Sequence, residues 1–129
     1  MTALAKNTPR TRVGQGERFV DPVAAAAVIY SGALVALNAA GDATPATPTG
    51  TVMRGVAVSE ADNETGAAGD AYVEIERGPF LVANDGSLDR TDIGSDVFVV
   101  DDNTVGAAGT LVAGKCLDVL PAGVVVEIR

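Results

Sequence analysis

Short Val-rich segments separated by Gly, Asp, Asn and Pro turns recur along most of this chain, and this rhythm limits the folds open to it. The strictest example is residues 70–78, where apolar and polar side chains alternate. The two sets are Ala71, Val73 and Ile75, and Tyr72, Glu74 and Glu76. Such alternation predicts a strand with one buried face and one face that meets water or a partner. Strands of this kind about every ten residues predict a small all-β barrel or sandwich.

About seven short strands follow from this pattern, at residues 34–37, 51–60, 70–78, 79–83, 111–120 and 124–128 and in a hairpin over 97–105. Turn residues also predict a hairpin joining the last two strands. Gly55 should mark a bulge or a site of close backbone approach. Two segments are less defined. Residues 23–30 fit a short helical turn or an entry into the sheet, and residues 42–50, with two prolines, fit a loop or an edge segment.

The composition suits one domain with an aliphatic core. The chain has 129 residues, of which 47% are hydrophobic but only 4% aromatic, so the core must consist of Val, Ala, Leu and Ile. Cys116 is the one cysteine and lies in an apolar run. We therefore expect it to be a buried small hydrophobic residue, with no internal disulfide.

The charge argues against two classes of partner. A formal net charge of -8 disfavours binding to nucleic acid or to an anionic membrane, because both require Lys and Arg to approach the phosphates.

No apolar stretch approaches the roughly 20 residues of a membrane-spanning helix, and the N-terminus lacks the apolar region of a signal peptide. We expect a soluble product of the cytoplasm.

The first 18 residues differ from the rest of the chain. They carry Lys6, Arg10, Arg12 and Arg18 against one acid, Glu17, and have no periodic apolar face. This composition predicts a basic N-terminal arm over residues 1–18, flexible or extended until a partner orders it, and a single β-rich domain over residues 19–129. The alternative is a solvated terminus with no partner.

The residues needed for most enzyme chemistry are missing. The chain has no His, which excludes Ser-His and Cys-His catalytic arrangements and removes the commonest zinc ligand. The acids of one segment, Asp85, Asp89, Asp92 and Asp96, show no ligand spacing and are interpreted as loop residues. Gly14-Gln15-Gly16 lacks the following helix of a phosphate site and is interpreted as arm flexibility. We predict no catalytic, cofactor or metal residues and no enzyme activity.

Five segments together resemble capsid decoration, or cement, proteins of tailed bacteriophages. They are VIYSGALVALNAAGDATPA (28–46), RGVAVSE (54–60), GDAYVEIERGPF (69–80), IGSDVFVVDDNTV (93–105) and AGKCLDVLPAGVVVEI (113–128). The similarity covers residues 28–128 and consists of strand and turn residues. It implies a small β-barrel or sandwich-like (β-tulip-type) domain, with an extended arm and at most one short helix.

The resemblance also implies a function. A decoration protein binds the outside of an expanded head, over junctions between major capsid subunits, as a homotrimer or another small cluster. It stabilises the head against internal DNA pressure, because a ligand of one state shifts the equilibrium toward that state. The protein would be made in the host cytoplasm and located on the outer surface of the virion. No cofactor, nucleic acid or membrane is expected.

Two sets of contact residues follow as expectations. The arm can add a strand to an exposed edge of a capsid subunit, and its expected contacts are Lys6, Arg10, Arg12, Val13, Arg18 and Phe19. The candidate contacts between subunits are Glu74, Glu76, Arg77 and Phe80. The alternatives are a structural subunit of a phage tail or spike, and a β-barrel that binds a small ligand or metal through acids at its mouth.

Overall fold

The computed structural model describes residues 2–13 and 17–129. Gly14, Gln15 and Gly16, interpreted above as arm flexibility, lie outside the described residues. The strands are, in chain order, β1 (Arg18–Pro22), β2 (Val28–Ile29), β3 (Leu34–Leu37), β4 (Ala43–Pro45), β5 (Val52–Ala57), β6 (Ala61–Asp62), β7 (Tyr72–Glu76), β8 (Gly78–Asn84), β9 (Asp96–Val99), β10 (Thr104–Gly106), β11 (Val112–Leu120) and β12 (Gly123–Ile128). The one helical element within the described ranges is a 3₁₀ turn at Arg90–Asp92. The predicted all-β fold class is confirmed, and the strand count exceeds seven because several strands are only two or three residues long.

The C-terminal half of the chain forms a closed barrel with neighbouring order β10, β8, β12, β11, β9. β9 pairs with β10 and β11 pairs with β12, both antiparallel, so the two hairpins predicted from turn residues are confirmed. β8 pairs antiparallel with β12 and then, at Ala83 and Asn84, parallel with β10. Each of these five strands therefore has a barrel neighbour on both sides, although β10 covers only the second half of its edge of β8.

The other main sheet is open and has the order β1, β7, β5, β3, β4. β5 carries a bulge, because Val35 pairs with Gly55 while Ala36 pairs with Met53. A Cβ on Gly55 would lie 2.5 Å from the carbonyl oxygen of Glu76 on the next strand. Gly55 is therefore both a bulge residue and a site of close approach, as its position in the sequence predicted.

This sheet separates two apolar cores. Leu34 and Val56 pack on one face with the residues that fill the barrel. Val35 and Ile75 pack on the opposite face with Ile29 of β2. The open sheet is thus covered by the barrel on one side and by the small β2–β6 sheet on the other, with aliphatic side chains in both interiors.

The structure also decides the segments that the sequence left open. Residues 24–27 form a turn with Ala26 at a φ of 60°, and β2 follows, so the sheet-entry alternative is correct. Residues 42–50 contain the edge strand β4. Cys116 is fully buried in the barrel core, as expected. Within the described part of the chain, no helix is long and apolar enough to cross a membrane.

Candidate interaction surface

The first part of the arm lies across the junction between the open sheet and the barrel. The Thr8 amide donates to the Ser31 carbonyl oxygen at 2.6 Å, and the Ser31 amide donates to Asn7 Oδ1 at 2.9 Å. Nearer the N-terminus, the Leu4 amide donates to Asp102 Oδ1 at 2.8 Å. Burial raises the pKa of the Asp102 carboxyl, although the Leu4 amide and Arg10 act in the opposite direction.

The second part of the arm forms a short strand beside β8. Arg12 makes an antiparallel bridge with Phe80, and the Val13 amide donates to the Pro79 carbonyl oxygen at 3.0 Å. The Leu81 amide donates to the Thr11 carbonyl oxygen at 3.3 Å. The arm therefore takes a position beside the first half of β8, whose second half pairs with β10. The sequence indicated that this segment needs a partner to order it, and in the structure the chain's own body serves that role.

Gly32 makes this docking sterically possible. A Cβ on Gly32 would lie 1.4 Å from the Thr8 carbonyl oxygen, so any other side chain would collide with the arm. The Arg10 side chain donates from Nε to the Gly32 carbonyl oxygen at 2.8 Å and also binds the side chain of Asn103. A cavity of about 130 Å³ remains beneath the arm, between Arg12 and Phe80.

Glu76 is the point where the arm and β1 meet. Its carboxylate lies 2.5 Å from Arg12 Nη1 and 2.5 Å from Arg18 Nη2, and its side chain is only 11% exposed. Glu76 lies on the same face as Glu74, as predicted, and in the folded chain its carboxylate meets the arm and β1. β5 places Val56 beside it, and the arm covers it from the other side.

The opposite face of β1 carries a second cluster around Phe19. The Arg54 guanidinium stacks 3.8 Å from the ring centroid, and that of Arg77 lies at 5.2 Å. Arg54 also binds both carboxylate oxygens of Asp21, at 2.6 and 3.1 Å. Stacking and bidentate pairing together hold one guanidinium over two residues of β1. The bulge at Gly55 turns the neighbouring Arg54 side chain toward this face.

Two exposed apolar side chains, Val20 of β1 and Tyr72 of β7, lie on the face that also carries Glu74. Each of the two is 63% exposed, the largest fraction among the large hydrophobic residues that the structure describes. Arg18 borders them and lies 3.5 Å from Glu74. The sequence pattern placed Tyr72 on an outward face, but Val20 was not predicted, because a five-residue strand with Asp and Pro gives little periodic signal.

The structure brings together only some of the residues expected to make contacts. Arg12, Arg18, Glu74 and Glu76 form one cluster of charges. Lys6 and Val13 are exposed on the arm, Arg10 is half-buried against Gly32, and Phe19 and Arg77 form the cluster on the other face. Phe80 lies in the barrel core at 3% exposure and is not on the surface of this chain.

Three of the acids singled out in the sequence make structural contacts. Asp89 and Asp92 cap the 3₁₀ turn, and Asp96 pairs with Lys115 at 2.7 Å. Within residues 2–13 and 17–129, no group of three potential metal ligands comes together. Burial raises the pKa of the Cys116 thiol, and Asp92 raises it further, which disfavours the reactive thiolate.

Comparison with known proteins gives no relative for this chain. No protein-family model matches it, and neither curated proteins nor solved structures show a match. The candidate surface is therefore defined by its own geometry. It consists of the docked arm, the Glu76 cluster and the exposed edge of the open sheet.

Proposed function

We propose that this chain is a structural virion protein that decorates the outer surface of an expanded phage head and stabilises it against the pressure of packaged DNA. Its partners are the major capsid protein and further copies of itself, arranged as a trimer. The sequence resemblance over residues 28–128 supports this proposal, and so does the β-rich body that the resemblance implies. The role is mechanical and involves no catalytic step or cofactor.

The observation that carries the proposal is the way in which the arm is attached. Residues 8–13 bind the body through main-chain hydrogen bonds to Ser31, Pro79 and Leu81. Main-chain pairing makes few demands on sequence, so the same segment can pair with an exposed sheet edge of a capsid subunit. Lys6 and Val13 remain exposed on the docked arm and are available for the first contact.

The docked arm also sets an energetic condition on this function. Arg10, Arg12 and Arg18 already have partners in the chain, so capsid groups must replace those partners if the arm is to transfer. A head must therefore bind the released arm more favourably than Gly32, Asn103 and Glu76 bind it in the free protein. Selectivity for the expanded head further requires a matching edge that the lattice offers only after expansion.

The direct test mixes the purified chain with undecorated heads of the virus that encodes it, in expanded and in unexpanded form. We expect co-sedimentation with expanded heads only. The double variant Lys6→Glu with Val13→Asp should weaken that binding at least tenfold, because it reverses the charge and apolarity of the exposed arm. Val52→Asp is the matched control, since Val52 is similarly exposed but lies on β5. Binding to neither form, or to both equally, would refute the proposal.

A further inference from the structure

β1 presents an open edge to solvent. Antiparallel pairs alternate between residues that bond across the ladder and residues whose backbone groups point away. The Arg77 amide bonds to the Glu17 carbonyl oxygen and the Val23 amide to the Ala71 carbonyl oxygen, which fixes the phase of this alternation. Phe19 and Asp21 therefore bond to β7. The backbone groups of Arg18, Val20 and Pro22 point outward, and no described residue pairs with them.

We infer that this edge binds the same edge of a second copy of the chain, by antiparallel pairing about a two-fold axis at Val20. In this register Val20 lies opposite Val20 of the second copy, and Arg18 lies opposite Pro22. Each Val20 amide then donates to the other Val20 carbonyl oxygen, and each Arg18 amide donates to a Pro22 carbonyl oxygen. Pro22 has no amide, so the Arg18 carbonyl oxygen opposite it receives no hydrogen bond. This carbonyl lies at the end of the paired segment, and it is the only acceptor in each copy that pairing leaves without a donor.

The charges on β1 favour a second copy in this orientation. Antiparallel pairing sets Arg18 against a proline and Phe19 against Asp21, so no like charges face each other, whereas a parallel register would oppose the two Arg18 side chains. On the Phe19 face, Asp21 of the second copy would lie beside the ring on which the Arg54 guanidinium stacks at 3.8 Å. Arg54 already binds its own Asp21 and would gain a second carboxylate nearby.

The position of the exposed Val20 side chain also favours a two-fold axis at this residue. Opposed residues of an antiparallel pair point to the same face, so the two Val20 side chains would cover each other, with Glu74 directly beside each Val20 and Tyr72 diagonal to it. Val20 is 63% exposed in the free chain, and pairing would remove its apolar surface from water. Arg18 and Pro22 at the two ends restrict pairing to the central residues and oppose further growth of the sheet. The contact is therefore closed after two copies.

This contact goes beyond the proposed function, because it does not depend on a capsid. A cyclic trimer cannot contain it, since a two-fold contact uses the same patch on both subunits. If the chain forms trimers, the β1 edge joins two of them. The contact area is small and its hydrogen bonds are few, so we expect a weak association that depends on concentration.

The first test is site-directed disulfide capture in the full chain. Val20→Cys places two thiols in a directly opposed pair with Cα atoms about 5.5 Å apart, which a disulfide can span. Tyr72→Cys is the matched control, because Tyr72 is equally exposed but its two copies would lie about 14 Å apart across the strands and about 13 Å apart along them, roughly 20 Å in all. Under mild oxidation without heads, Val20→Cys should form covalent dimers at least ten times faster. The wild-type chain, with only the buried Cys116, is the blank.

The second test measures reversible association by sedimentation at increasing concentration. Val20→Lys should weaken association at least tenfold, since it places like charges at the axis, while Val52→Lys should stay within about twofold of wild type. Equal disulfide rates for the Val20 and Tyr72 variants would overturn the inference. So would equal effects of the two lysine variants, or a Val20→Cys chain that stays monomeric at about 1 mM. None of these results bears on head binding, which is measured separately.

Discussion

At the scale of single residues, Thr104 carries a buried hydroxyl group that lowers the stability of the fold. It is fully buried on β10, and its hydroxyl has no hydrogen-bond partner among the described residues. We expect Thr104→Val to raise the free energy of unfolding by about 1 kcal/mol, because it removes an unsatisfied buried hydroxyl and preserves the shape of the side chain. Urea unfolding followed by circular dichroism measures the change. Thr104→Ser, which keeps the hydroxyl and removes a methyl, is the control and should be destabilised by about 1 kcal/mol. A less stable Thr104→Val protein would contradict this account.

At the scale of elements, the arm depends on Gly32. Gly32 and Gly41 both have left-handed backbones, with φ of 88° and 85°, but a Cβ would collide with the arm only at Gly32. Both Gly→Ala variants should lose about 1 kcal/mol to backbone strain. Only Gly32→Ala should also release the arm, and trypsin should then cleave after Lys6, Arg10 or Arg12 at least ten times faster than in Gly41→Ala. Equal cleavage rates in the two variants would show that the arm does not rest on Gly32.

At the scale of the whole molecule, the arm belongs to the fold as well as to the proposed function. The sequence predicts a single β-rich domain over residues 19–129, but the structure shows that deletion of residues 2–18 removes both arginines that pair with Glu76. We expect the shortened chain to lose about 2 kcal/mol of stability at neutral pH, because a carboxylate in a largely covered site loses its partners. The same deletion with Glu76→Gln should recover much of this loss, as measured by urea unfolding. If Glu76→Gln further destabilises the shortened chain, the ion pairs are not the cause.

The distribution of free edges explains where this molecule can associate. The five barrel strands are paired on both sides, and β4 at one end of the open sheet is approached by residues 23 and 24. β1, at the other end of the open sheet, has backbone groups that point outward without a partner among the described residues. The arm lies close to β1, where Arg12 pairs with Glu76. The proposed capsid contact and the inferred contact between copies therefore both use the part of the molecule where main-chain pairing is incomplete or exchangeable.

The sequence by itself determined the all-β class, the two C-terminal hairpins, the strand at β7, the role of Gly55 and the burial of Cys116. Most of these features depend on local alternation and on turn residues, which can be recognised from neighbouring positions in the chain. The sequence also predicted the outward direction of Tyr72.

Only the tertiary structure decided that the arm docks on its own body, that Glu76 is buried and that Val20 lies on an open edge. Each of these facts depends on contacts between distant segments. Arg12 meets Glu76 across 64 positions, and Leu4 meets Asp102 across 98. Alternation specifies which face of a strand a side chain occupies, but coverage of that face depends on where other segments pack. For this reason the same period-two pattern leaves Glu74 exposed and Glu76 enclosed.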